Sequence, residues 1–159
     1  MSTKTLQFRL ATSDDHEGLI DLATDSFAPI SWYRDIEREF GLLNGVDWRG
    51  RWRLRMKKIF ETEVVLVGES GDEIVAFCTG KIEPETALAF IDVLAVDASH
   101  QRQGLGRQML RAMLGHLKQE GAAHAYLDCL TSNEAGNALY ASEGFKQSAG
   151  YAYWFVKIP

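Results

Sequence analysis

The spacing of apolar positions changes period several times along the chain. Leu6 to Ala11 alternates apolar and polar residues, the two-residue repeat of a half-buried strand. Thr12 or Ser13, followed by Asp14, Asp15 and Glu17, marks a capped helix start, after which Leu19, Ile20, Leu22 and Ala23 recur at helical spacing. Pro29 interrupts this pattern, and from Ser31 a second helical stretch carries Trp32, Tyr33, Ile36 and Phe40. The glycine-rich GLLNGVDWRG reads as a loop before a basic helix from about Trp48 or Arg51 to Phe60. From Glu63 the period is that of strands: VVLVGE, a Ser-Gly-Asp turn and IVAFCTGKI predict a hairpin with Gly71 in its turn. Glu83 to Thr86 make another turn, and Ala87 to Val96 returns as a central strand. Leu105, Met109, Leu110, Met113, Leu114 and Leu117 then predict a helix from about Gly104 to Glu120, with Arg107, Arg111 and Lys118 on its wet side. His124 to Leu130 reads as a strand, Asn133 to Ser142 as a helix, and Phe145 onward as a final hairpin ending in Tyr151 to Lys157.

That order predicts one α/β domain over residues 1–159, its sheet antiparallel at first and parallel across the helix after QRQGLG. A length of 159 residues with 46% hydrophobic residues suits one ordinary core. No run is long enough to cross a membrane and MSTKTLQFRL lacks the apolar stretch of a signal peptide, so the expected setting is cytoplasmic, without a membrane partner. A net charge of −5 argues against nucleic acid held on a basic surface. The alternating Arg49, Arg51, Arg53, Arg55, Lys57 and Lys58 read as a solvated helical face.

Cys78 and Cys129 fall in different predicted strands. With the central strand between them they stand about 9.6 Å apart, beyond disulfide reach, and are expected as free, buried thiols. His16, His100, His116 and His124 show no metal-ligand spacing, so no metal is expected.

The candidate chemistry lies in FIDVLAVDASHQRQGLGRQ, Phe90 to Gln108. An apolar strand, a turn, two glycines and a helix start follow one another there. A helix N-terminus offers unpaired N–H groups and partial positive charge to an anion, and glycine lets a phosphate approach the main chain. Arg102 and Arg107 flank the loop. The P-loop string is absent, and a dinucleotide fingerprint fails because Met109 stands where a third glycine is needed.

QRQGLG, with Gln101, Gly104 and Gly106, resembles the signature of the GNAT superfamily of acyl-CoA N-acyltransferases. NEAGNALYASEGF, with Asn133, Tyr140, Gly144 and Phe145, resembles that superfamily's other recognisable stretch. The resemblance covers roughly Val64 to Val156. It implies a GNAT-like fold, a mixed six- to seven-stranded sheet flanked by about four helices. It further implies an acetyl-CoA-dependent N-acetyltransferase acting on a small-molecule or peptide amine, by direct attack in a ternary complex.

By that resemblance the carrier is held by the main chain of Leu94, Ala95 and Val96, by Gln101, Arg102, Gln103, Gly104, Leu105, Gly106 and Arg107, and by Asn133, which as a helix cap has a second use. Tyr140, neutral at pH 7, is the candidate proton donor to the leaving thiolate, or else a packed tyrosine. Asp92 is the candidate amine ligand or base, sharing a strand face with Phe90 and Leu94; a salt bridge to an arginine, with a water chain as base, is the alternative. Trp32, Tyr33 and Trp52 are candidates for the acceptor wall or for the core. A non-catalytic acyl-CoA sensor and a longer acyl donor remain as alternative functions. YAYWFV is a candidate edge for a homodimer.

Overall fold

The computed structural model describes residues 4–159. Five strands form one sheet in the order β1 (Gln7–Leu10), β2 (Val64–Ser70), β3 (Glu73–Glu83), β4 (Leu88–Val96) and β5 (His124–Leu127). The first four are antiparallel neighbours, and β5 runs parallel to β4. Five helices accompany them: α1 (His16–Phe27), α2 (Trp32–Phe40), α3 (Trp48–Thr62), α4 (Leu105–Gln119) and α5 (Glu134–Ser142). The sheet is thus one or two strands smaller than expected and there is one helix more. Among the described residues no helix is long and apolar enough to cross a membrane.

The sheet separates two apolar layers. Leu105, Met109, Leu110, Met113 and Leu117 of α4 pack on Leu66, Val75, Ala76, Cys78, Ala89 and Ile91. Leu19, Ile20 and Ala23 of α1 and Trp52, Met56 and Ile59 of α3 pack on Val65, Val67, Phe77, Val93 and Ala95. Alternation along β2 assigns Leu66 to one layer and Val65 and Val67 to the other, as a two-residue period requires.

That alternation breaks once in β4. Cys78 pairs with Leu94 but Gly80 pairs with Ile91, so β4 holds one more residue than β3 across this interval. This is a β-bulge at Asp92 and Val93. The freed Val93 N–H donates to Thr79 Oγ1 at 3.1 Å. Ala89 and Ile91 face α4, while Val93 and Ala95 face α1 and α3. Asp92 therefore does not share a face with Leu94: the extra residue turns Leu94 towards α4 and leaves Asp92 beneath α3.

Two further corrections concern the C-terminal third. The strand β5 ends at Leu127 rather than Leu130, and the hairpin expected after Phe145 does not form. Residues 146–159 make no backbone ladder; they hold the body by side chains. Tyr151 donates to Asp128, Tyr153 stacks on Trp32 and Phe155 packs on Phe40, while Trp154, Val156 and Ile158 point outward. Alternate side chains of this segment do turn inward and outward, but among the described residues no strand lies alongside to pair with it. Cys78 in β3 is buried and Cys129, beyond the end of β5 and so not in the strand expected for it, is half-buried; both are free.

Candidate active site

The parallel pairing of β4 with β5 covers only Leu88–Ile91 against His124–Leu127. Beyond Ile91 the two strands part, and β4 runs on to Val96 with one edge open. The Asp97 N–H bonds Val75 O at 2.8 Å on β3. Backbone groups alternate in direction along a strand, so the Ala95 N–H also points to β3, whereas those of Leu94 and Val96 point into the opening. Of the three residues expected to hold the carrier through this strand, Leu94 and Val96 thus turn their N–H groups into the opening and Ala95 turns its own to β3.

The loop after β4 ends at the N-terminus of α4. Gln101 ties it back to the strand, donating from Nε2 to Val96 O at 3.1 Å. Arg102 and Gly104 both adopt left-handed backbone, with φ of 61° and 76°. The first helical bond runs from the Gln108 N–H to Gly104 O at 3.2 Å. The N–H groups of Leu105, Gly106 and Arg107 are left without helical acceptors, and the helix dipole adds positive potential there. No atom lies within 4 Å of where a Gly104 Cβ would stand, so the cradle is open; a Gly106 Cβ would touch Leu139 at 3.5 Å and Val96 at 3.7 Å. Arg107's side chain is engaged elsewhere, with Glu143 at 2.8 Å and Ser142 at 2.8 Å, which leaves its N–H for an anion. Free donors of this kind at a helix N-terminus suit an anion such as a pyrophosphate.

The helix α5 covers the α4 side of the opening. Asn133 caps it, with Oδ1 accepting from the Gly136 N–H at 3.0 Å, so the capping role is the one occupied. Tyr140 is half-buried and packs edge-on against Phe145, ring centroids 5.9 Å apart. Burial, followed by the charges of Cys129, Cys78 and Asp128, pushes its phenol well above the usual range. The hydroxyl has no protein partner among the described residues and is not shut off from solvent.

The other side is lined by polar and aromatic groups of α2 and α3. Arg55 donates from Nη2 to Asp92 Oδ1 at 2.5 Å. Burial works against charge on Arg55, but Asp92 and then Tyr33 outweigh it and raise its pKa. Trp52 belongs to the core, 4% exposed, with Nε1 donating to Ser31 Oγ at 3.1 Å. Trp32 and Tyr33 are half-buried, edge-on to each other at 4.8 Å, and Trp32 stacks on Tyr153 at 4.6 Å.

A model of the Acetyltransferase (GNAT) family matches residues 30–145. The chain belongs to this family. It is similar to the [ribosomal protein bS18]-alanine N-acetyltransferase of Escherichia coli K12, with 37% identity over 76 residues, 48% of this chain and 50% of that protein. The chain thus spans about half the length of the curated relatives it matches there. The crystal structure of the E. coli ribosomal-protein-S18-alanine N-acetyltransferase superposes with a TM-score of 0.69, at 21% identity over 91% of this chain and 80% of that one. The PaiA N-acetyltransferase of Thermoplasma acidophilum, solved with coenzyme A, gives 0.65 at 19% identity, over 89% and 90%.

Within this GNAT domain the structure assembles groups that sequence reasoning passed over. Glu63, the C-cap of α3, comes close to Asp92, and its Oε2 is buried without a hydrogen-bond partner among the described residues. Burial first, then the charge and hydrogen bonding of Asp92, push its carboxyl up to about 7, against the lowering influence of Thr79 and Lys81. Two surface cavities of about 460 and 210 Å³ both reach Glu63. Nothing in the sequence around Glu63 signals this, because its partners lie in β3 and β4. Asp128 passed unremarked inside the strand expected from His124 to Leu130; it follows the end of β5 and accepts from Tyr151 at 2.9 Å. The basic helix is not a uniform wet face either. Arg49 pairs with Asp25 and Arg53 with Glu17 outside, while Arg51 and Arg55, one turn apart, face inward.

Proposed function

We propose that this chain moves an acetyl group from acetyl-CoA to a primary amine in a ternary complex. The observation that carries the reading is the parting of β4 from β5 directly beside the free N–H groups of α4 and the unpartnered hydroxyl of Tyr140. One end of such a cleft takes a pyrophosphate and the other an extended thioester arm.

In this reading the N–H groups of Leu105, Gly106 and Arg107 bind the pyrophosphate, and those of Leu94 and Val96 orient the arm and the thioester oxygen. Tyr140 donates a hydrogen bond to the departing sulfur. A phenol held so firmly neutral parts with its proton reluctantly, so its contribution belongs at the lower end of general acid effects. Asp92 has its charge matched by Arg55 and acts chiefly to position α3 at the acceptor wall. Asp128, whose charge reaches Tyr140 and whose one partner among the described residues is Tyr151, serves instead as the proton acceptor for the amine. Trp32 and Tyr33 flank the acceptor. The bacterial relative is named for an alanine amine of a ribosomal protein, which makes peptide N-termini the first acceptors to test.

The test is calorimetric titration of acetyl-CoA, CoA and ATP into the wild type and Gly104→Glu, followed by an amine screen. Gly104→Glu places a negative charge and a β-carbon on left-handed backbone in the cradle. Micromolar binding of both CoA species, absent for ATP and lost in the variant, supports the reading. Binding that survives Gly104→Glu removes the cradle from it, and binding without turnover on any amine indicates a sensor.

A further inference from the structure

Arg51 stands apart from the other arginines of α3. Its Cζ lies 3.9 Å from the Tyr33 ring centroid and 5.3 Å from that of Trp32, so the guanidinium rests against both aromatic rings. Arg49, Arg53 and Arg55 each meet a carboxylate, but Arg51 forms no ion pair among the described residues. Its Nη1 is buried with no acceptor. A buried charged donor left unmatched costs more than a neutral one, and aromatic faces supply no in-plane acceptor for its N–H groups. A group kept so against an aromatic wall calls for a partner of definite chemistry: a planar anion able to meet a guanidinium edge-on.

The surroundings connect Arg51 to the acceptor side. Trp32 stacks on Tyr153, Tyr153 Oη meets Tyr151 Oη at 3.2 Å, and Tyr151 donates to Asp128. Arg51 therefore lies at one end of an aromatic wall whose other end is the carboxylate proposed to take the amine proton. The covering segment, residues 146–159, is held by side chains alone, so displacing Tyr153 from Trp32 breaks no ladder. We infer that Arg51 is a specificity-determining residue that binds a carboxylate carried by the amine acceptor, so that the preferred substrates are amino acids or short acidic amines rather than polycations.

The inference rests on the acetyl-transfer reading, and its test separates the two. Glycine, β-alanine, 4-aminobutyrate and L-phenylalanine are each compared with the corresponding carboxamide, by acetyl-CoA-dependent turnover and, independently, by quenching of tryptophan fluorescence. The wild type should prefer at least one acid over its amide by tenfold or more in KM and in binding. Arg51→Met should bring that ratio to within twofold, and Arg51→Lys should keep part of it. Equal use of acids and amides overturns the inference while leaving acetyl transfer intact. So does a preference that survives Arg51→Met, an equal loss on both classes, as a purely structural arginine would give, or binding of neither class. If no amine turns over, acetyl transfer fails, and the fluorescence ratio alone decides the role of Arg51.

Discussion

Glu63→Gln tests the buried carboxylate pair. In the wild type the Glu63 carboxyl is pushed from its ordinary 4.5 up to about 7, by burial and then by the Asp92 charge. In the unfolded chain it returns to the ordinary value. Between those two pH values the folded state holds a proton that the unfolded state has released, so stability falls as pH rises from about 4.5 and the loss is complete above about 7. Each pH unit is worth about 1.4 kcal/mol, which sets a ceiling of about 3 kcal/mol. Glu63 is only half-buried, two surface cavities reach it, and Arg55 offsets part of the Asp92 charge. Screening of this kind reduces the effect to about 1–2 kcal/mol.

Glutamine has nearly the shape of the protonated acid and cannot ionise. The two proteins should therefore match near pH 4 in urea unfolding and diverge from there, the variant being the more stable by about 1–2 kcal/mol at pH 8. Taking the difference between the proteins removes every other titrating group that both share. Parallel profiles from pH 5 to 8 would refute the reasoning, since Glu63 would then ionise as it does in the unfolded chain. A variant less stable than the wild type at pH 8 would show instead that the charge is stabilising, through Lys81.

The remaining predictions concern catalysis and the core. Tyr140→Phe should lower kcat by roughly 10²-fold, the bottom of the general acid range, with little change in acetyl-CoA affinity; steady-state kinetics on the best amine checks it, and an unchanged kcat removes the hydroxyl from the mechanism. Met113→Ala empties a fully buried site of α4 and should cost about 2–5 kcal/mol in urea unfolding; a loss under 1 kcal/mol would mean that the α4 layer collapses to fill the space.

The parts of this protein that were legible in sequence share one property: their cause is local. The helix α4 is read from an apolar stripe and ends where Gly121 stands; the hairpin of β2 and β3 is read from two apolar runs around Gly71, whose φ is 66°. The loop at Gln101 to Gly106 is local too, its purpose visible in the succession of strand, glycines and helix. Asn133 was legible as a cap for the same reason. Trp52 was not assignable, because a tryptophan at helical spacing reads alike whether it fills a core or lines a cleft, and only packing against α1 and Ser31 decides it.

The acceptor side was not legible because it depends on one inserted residue in β4. Without the bulge, the period of two would carry Asp92 and Leu94 to the same face, and the polar group would stand beside the carrier. With it, Leu94 turns to α4, Val93 enters the other layer, and Asp92 meets Arg55 and Glu63 beneath α3. The only sequence trace of that change is Thr79, a hydroxyl in an otherwise apolar strand, fully buried and accepting the N–H that the bulge leaves over. A buried N–H without an acceptor would cost about 1–3 kcal/mol, so the threonine is part of what makes the bulge stable. The bulge in turn lies where the β4–β5 pairing stops, one residue past Ile91, so the same irregularity that turns Asp92 away accompanies the opening of the cleft. A strand that kept its period would have no reason to part from β5 there, and Leu94 and Val96 would have their N–H groups bonded in the sheet rather than free for a ligand.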